Sequence, residues 1–154
     1  MSETAPSERR VLVVDDDDSV REVLEHVMKA EGFRVEGAVD GIEAKAKVLS
    51  QRPDLIILDL MMPGMSGFEF IRHLQVEGLA SIAVVVITGR YTDPSTEQMI
   101  RFEPNVVDFL KKPVKYVELA LLIHRILKTQ RPPGAGPGGP KAPGARPAPD
   151  MRGS

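Results

Sequence analysis

Apolar residues along this chain fall into two alternating rhythms. Continuous apolar runs at 11–14, 55–58 and 82–87, and a last short run at 106–110 interrupted by Asp108, are separated by longer stretches in which apolar positions return every three or four residues. A short run that is apolar at every position predicts a strand buried on both faces, and the spaced pattern predicts an amphipathic helix. The stretch 33–38 alternates more weakly and predicts an edge strand. Residues 18–30 predict a first helix, with Val20, Val23, Leu24, Val27 and Met28 on one face and Gly32 as its stop. Asp40-x-x-Glu43 opens a second helix. Ser66-x-x-Glu69 is a capping box that opens a third, before Phe68, Ile71 and Leu74. A poorer helix is expected over 95–102 and a last one over 117–127. The series is therefore (βα)5. It predicts a doubly wound α/β domain with a five-stranded parallel sheet and helices on both faces.

The two ends depart from this rhythm. Residues 1–8 hold no periodic apolar face and predict a mobile N-terminal tail. Residues 131–154 contain thirteen Pro or Gly among 24 positions, with Met151 as the one large apolar residue. Such a segment buries too little to offset its ordering entropy, so a disordered tail is expected there and the domain is expected to span 9–130. The tail carries +3 (Arg131, Lys141, Arg146 and Arg152 against Asp150), which leaves −5 for the rest of a chain of net charge −2.

That charge offers no general attraction to nucleic acid or to an anionic membrane, and neither is an expected partner. The absence of cysteine excludes disulfides, thiolate metal sites and cysteine nucleophiles. No apolar run approaches the ~20 residues of a membrane helix, and no apolar segment follows the charges of the N-terminus, so the cytoplasm is the expected compartment.

The polar residues at the strand ends carry the chemistry. Asp15 and Asp16 follow the first strand, Asp59 the third, Thr88 the fourth and Lys112 the fifth. In parallel sheets of this kind, ligands bind at the carboxyl ends of the strands, beside the point where strand order reverses. Three carboxylates, a hydroxyl and an ammonium should therefore share one rim. Two carboxylates ~5 Å apart repel by about 3 kcal/mol at an effective dielectric near 20, so three call for a cation. Oxygen-only ligands suit a hard ion, and Mg2+ is the expected one. Lys112 can hold a phosphate oxygen as a point charge, and Thr88 can donate a hydrogen bond to another.

The motifs VLVVDDDDSVRE, PDLIILDLMMPGMSGFEFI, VVVITG and DFLKKPV, in this order, make residues 10–130 resemble the receiver domain of bacterial two-component response regulators, in particular stand-alone receivers of the chemotaxis type. The resemblance implies a flavodoxin-like sheet of order 2-1-3-4-5. It implies that Asp59 accepts a phosphoryl group from a sensor histidine kinase or phosphotransfer protein. Asp16 and Asp59 would be direct metal ligands, Asp15 would often act through water, and Met61 would supply its backbone carbonyl. Thr88 and Phe109 match the switch hydroxyl and switch aromatic, and Lys112–Pro113 matches a peptide bond usually found cis. The domain would then be a phosphoacceptor switch rather than a conventional enzyme. It would signal through a phosphorylation-dependent surface to a downstream protein that the sequence does not name.

Receivers commonly dock or dimerise through the last helix. Here that helix carries apolar residues on more than one face, Leu119 and Leu122 among them. The second stripe either meets the first helix or is left for a partner, a second copy included. The match weakens at Phe102-Glu103-Pro104-Asn105-Val106. Asn105 is expected to stand in for a glycine in a left-handed cap, and Pro104 to leave the fourth helix short or irregular.

Blander readings apply to several residues. Asp17 and Asp18 are helix-cap residues, Lys111 is a solvated lysine, and Met61, Met62 and Met65 pack a loop. His26, His73 and His124 have no metal-ligand partner at useful spacing and are not expected to carry phosphoryl groups. Two rival functions remain at this stage. A haloacid-dehalogenase-type phosphatase also uses a strand-end aspartate with magnesium, but it needs a second aspartate two residues later, where this chain has Met61. A receiver-shaped scaffold that is never phosphorylated is opposed by the complete set Asp15, Asp16, Asp59, Thr88 and Lys112.

Overall fold

In the computed structural model, which describes residues 4–89 and 93–134, the continuous apolar runs pair side by side. The strands are Arg10–Val14 (β1), Arg34–Ala38 (β2), Leu55–Asp59 (β3), Ala83–Thr88 (β4) and Val106–Lys111 (β5). All pairs are parallel, in the order β2-β1-β3-β4-β5, with Val14 level with Leu58, Asp59 level with Ile87, and Thr88 level with Lys111. β1, β3 and β4 are the inner strands, which is why their sequences are apolar at nearly every position. β2 and β5 are edges and alternate in exposure.

Five helices connect the strands: Asp18–Ala30 (α1), Gly41–Gln51 (α2), Gly67–Val76 (α3), Pro94–Arg101 (α4) and Tyr116–Leu127 (α5). Alternate strand residues feed two cores. On one face Leu12, Ile56, Val84 and Phe109 pack with Val48, Phe70, Ile71 and Ile100 from α2, α3 and α4. On the other, Val13, Ile57 and Val85 pack with Leu24 and Met28 of α1 and with Leu119, Leu122 and Ile123 of α5. The caps sit where the sequence places them. Asp17 accepts from Val20 N–H, Asp40 from Glu43 N–H, and Ser66 and Glu69 close a reciprocal capping box.

Four features either depart from the sequence reading or decide between its alternatives. First, Asn105 adopts no left-handed cap, since the positive-φ non-glycine residues among those described are Arg52 and Lys128. Asn105 is instead buried, accepting from Gln75 Nε2 (2.8 Å) and donating to Ile71 O (3.2 Å). A polar side chain that ties α3 to the start of β5 replaces the conformational freedom a glycine would supply. Second, α4 is short, at eight residues, but regular, because Pro104 falls after its end at Arg101 rather than inside it. Third, both apolar stripes of α5 are used. Leu119 and Leu122 are buried, because α1 covers the second stripe, and Leu121 is the large apolar residue left half-exposed.

The fourth difference lies at the base of the domain, where the expected tails touch the fold. Pro6–Glu8 forms a single 3-10 turn, and Thr4 N–H donates to Lys128 O. Arg131, expected in the C-terminal tail, donates twice to the buried carboxylate of Glu31, at 3.0 and 2.8 Å. Glu31 also meets His124 Nε2 at 2.9 Å, and His124 Nδ1 meets Thr129 Oγ1 at 2.7 Å. His124 is thus a buried structural histidine. Gly32 (φ +98°) lies between Pro6 and Pro132, where a Cβ would come 3.1 Å from Pro6 Cβ. Residues 1–3 and 135–154, the rest of both expected tails, lie outside the described residues.

Candidate phosphoryl and metal site

The parallel sheet brings the carboxyl ends of β1 and β3 together at its centre, and the predicted acidic residues meet there. Carboxylate oxygens of Asp15, Asp16 and Asp59 lie within 4.8 Å of one another. Asp15 and Asp59 are buried, at 2% and 8% exposure, and Asp16 is open to solvent. Lys112 reaches in from the far end of β5. Its Nζ is 3.1 Å from Asp15 Oδ2 and 4.0 Å from Asp59 Oδ2. Met61 N–H donates to Asp59 Oδ1 at 3.3 Å, while the Met61 side chain is half-exposed. Thr88 is buried at the end of β4, and its carbonyl accepts from Lys112 N–H at 2.8 Å. The Lys112–Pro113 bond is cis.

The electrostatics follow from this crowding. Burial, then the neighbouring charge of Asp15, push the Asp59 carboxyl up to about 6, against the opposing pull of Lys112 and the Met61 N–H. One ammonium cannot offset three carboxylates, so the cluster retains excess negative charge that a cation would relieve. The donors are all oxygens, with neither imidazole nor thiolate among them, and Asp16 opens the cluster to solvent. Those properties fit a hard divalent ion that keeps some of its water.

Several supporting residues escape a strand-end reading. Asp17 N–H donates to Asp15 Oδ1 at 2.9 Å, so the next residue's backbone fixes that carboxylate. Arg21 Nη1 donates to Asp15 O at 2.9 Å while its guanidinium pairs with Asp18 and Glu25. The i,i+3 and i,i+4 acidic spacing around Arg21 was the available signal, but it reads equally as an ordinary helix-surface pair. Gly89 gives room to Lys112, whose Cδ would lie 3.1 Å from a Cβ at that position. Gly67 lets the loop after β3 fold back, since a Cβ there would come within 2.8 Å of the Leu60 backbone. Phe109 is buried on the same face as Val86, its partner in the β4–β5 register.

The profile of the response regulator receiver domain matches residues 11–124. Response regulator MprA of Mycobacterium tuberculosis is 37% identical over 126 residues, which are 82% of this chain and 54% of that protein. The chain therefore spans about half the length of the curated relatives it matches. Among solved structures, chemotaxis protein CheY4 of Vibrio cholerae superposes with a TM-score of 0.71 at 32% identity, over 77% of this chain and 98% of that one. A response regulator receiver protein from Pseudomonas putida gives 0.71 at 35% identity, over 79% and 98%. The matched profile, the sheet order and the acidic rim agree, and this chain belongs to the response regulator receiver domain family of phosphorylation-based two-component signalling.

Proposed function

We propose that Asp59 is the phosphoacceptor, and that the domain works as a switch whose output is a protein–protein contact. The observation that carries this reading is the placement of Asp59. It stands at the focus of the rim, with Asp15 and Asp16 around it and Lys112 Nζ at 4.0 Å. An Asp59 oxygen attacks the phosphorus of a phosphohistidine on a sensor kinase or phosphotransfer protein. The P–O bond forms as the P–N bond breaks, and the departing imidazole takes up a proton. Asp15, Asp16, Asp59 and the Met61 carbonyl would hold magnesium, which when bound neutralises charge on the transferred phosphoryl oxygens. Lys112 holds one phosphoryl oxygen and Thr88 donates to another, so the protein contributes positioning and charge rather than covalent chemistry of its own.

An apolar cleft of about 380 Å3 opens beside Lys112, between Val20 and Leu24 of α1 and the turn at Pro113 and Val114. It offers the phosphodonor protein a surface next to the chemistry. For output, Met99, Phe102, Val107 and Leu121 expose apolar surface on α4, the segment after it, β5 and α5. A downstream protein or a second copy would bind there, which places the contact on Leu121 rather than on Leu119 or Leu122. The test is incubation with acetyl phosphate and magnesium followed by intact mass. Wild type should gain one phosphoryl group and Asp59→Asn none. Equal labelling of the two would overturn the assignment.

A further inference from the structure

The outer edge of β5 has no neighbouring strand, so its outward backbone groups need other partners. At Phe109 side chains supply them. Asp108 Oδ1 accepts from Phe109 N–H at 2.8 Å, and Arg101 Nη2, from the last residue of α4, donates to Phe109 O at 3.1 Å. The same guanidinium lies over the Phe109 ring, 5.4 Å from its centroid. Arg101 is itself oriented by two carboxylates, one of which also pairs with Lys111. Its Nε meets Glu97 Oε2 at 2.9 Å, its Nη1 lies 3.6 Å from Asp108 Oδ1, and Lys111 Nζ lies 3.6 Å from Glu97 Oε1. The ring beneath is only 3% exposed.

We infer that Arg101 is a positioning residue that clamps Phe109 in its buried conformer, and so sets the resting bias of the switch. A phenyl ring cannot swing outward from this position without displacing the guanidinium from its face. The same guanidinium is fastened to the backbone of that residue and to two acidic side chains. Ring, strand edge and the end of α4 therefore move together or not at all. Phe109 is level with Val86, two positions before Thr88 and therefore on the same face of the sheet. A ring held there fills the space on the side of Thr88 away from the carboxyl end of β4, which favours the hydroxyl turned toward Asp59. This inference rests on the proposed reading of Asp59 as the phosphoacceptor and on the resemblance that makes Thr88 and Phe109 the switch pair.

The clamp holds the ring in place before any phosphoryl group arrives, so it raises the share of molecules ready to accept one. Removing a half-exposed cation–aromatic contact lowers that share, and weakens the apparent affinity for a phosphoryl mimic, by roughly two- to fivefold. Lysine keeps the charge but loses the planar face and the paired donors, so it should not substitute.

The experiment is titration of the full chain with beryllium fluoride at fixed magnesium, followed by NMR of the Phe109 ring and the β5 amides. Arg101→Ala and Arg101→Lys should each bind roughly two- to fivefold more weakly, with the Phe109 ring resonance shifted toward a solvent-exposed position in the free protein. In a Phe109→Leu background, Arg101→Ala should change affinity little, because the contact is already gone. Unchanged affinity and ring environment in both Arg101 variants would overturn the clamp, as would an equal loss with and without the ring. Failure of the wild type to bind the mimic in an Asp59-dependent way would instead overturn the switch reading on which the clamp rests.

Discussion

Replacing Asp59 with asparagine should stabilise the metal-free protein, and only above a defined pH. The folded carboxyl ionises at about 6 because burial and Asp15 disfavour its charge, against an ordinary value of 3.8. Between those values the folded state binds more protons than the unfolded chain, so stability falls as pH rises. The cost of ionising Asp59 is absent below the unfolded value and complete above the folded one. The difference of about two pH units corresponds to about 3 kcal/mol as an upper bound, and solvent reaching the rim through Asp16 lowers it to about 1–3 kcal/mol. Asparagine keeps the shape and can still accept the Met61 N–H, but it carries no charge. In EDTA, urea unfolding followed by circular dichroism should show Asp59→Asn more stable by about 1–3 kcal/mol at pH 8 and nearly equal to wild type at pH 4. Equal stability of the two proteins at both pH values would refute the charge argument. A variant less stable at pH 8 would mean that the Lys112 attraction outweighs burial and Asp15 together.

The remaining predictions probe other parts of the molecule. Magnesium at ten times its dissociation constant should stabilise the wild type by about 1.4 kcal/mol through mass action, and Asp16→Asn should lose most of that gain; a melting curve indifferent to millimolar magnesium would contradict the metal assignment. Arg131→Ala should destabilise the fold by about 1–3 kcal/mol, because it removes both guanidinium bonds from the buried Glu31, and chains cut after Pro133 and after Gln130 should differ by a similar amount in unfolding free energy from urea titration. Burial pushes the Glu31 carboxyl up, but the hydrogen bonds of Arg131 and His124 outweigh it and hold it below its usual range. Its contribution to stability should therefore be present above the unfolded value of 4.5 and fade as pH falls through the lower folded value, and a Glu31→Gln variant should lose that acid-side dependence. Leu121→Glu should leave stability within about 0.5 kcal/mol while weakening partner capture, whereas Leu119→Glu should unfold the domain by burying a charge, as thermal melts would show.

By itself the sequence determined the parts of this protein whose information is local. The apolar runs named the inner strands, three-to-four-residue spacing named the helices, and Asp17, Asp40 and Ser66 marked helix starts through bonds that span three residues. The acidic rim was also legible, because parallel strands must present their carboxyl ends on one side and the residues just past those ends were polar. Long-range geometry was not. Lys112 meets Asp15 across 97 positions, and Arg131 meets Glu31 across 100, so no window of sequence contains either pair. Only the packed fold decided that Asn105 is a buried tie rather than a left-handed cap. Only the position of α1 against α5 decided that Leu119 is core and Leu121 is surface. An amphipathic pattern states how many faces of a helix are apolar, and neighbours far along the chain determine which of those faces are covered.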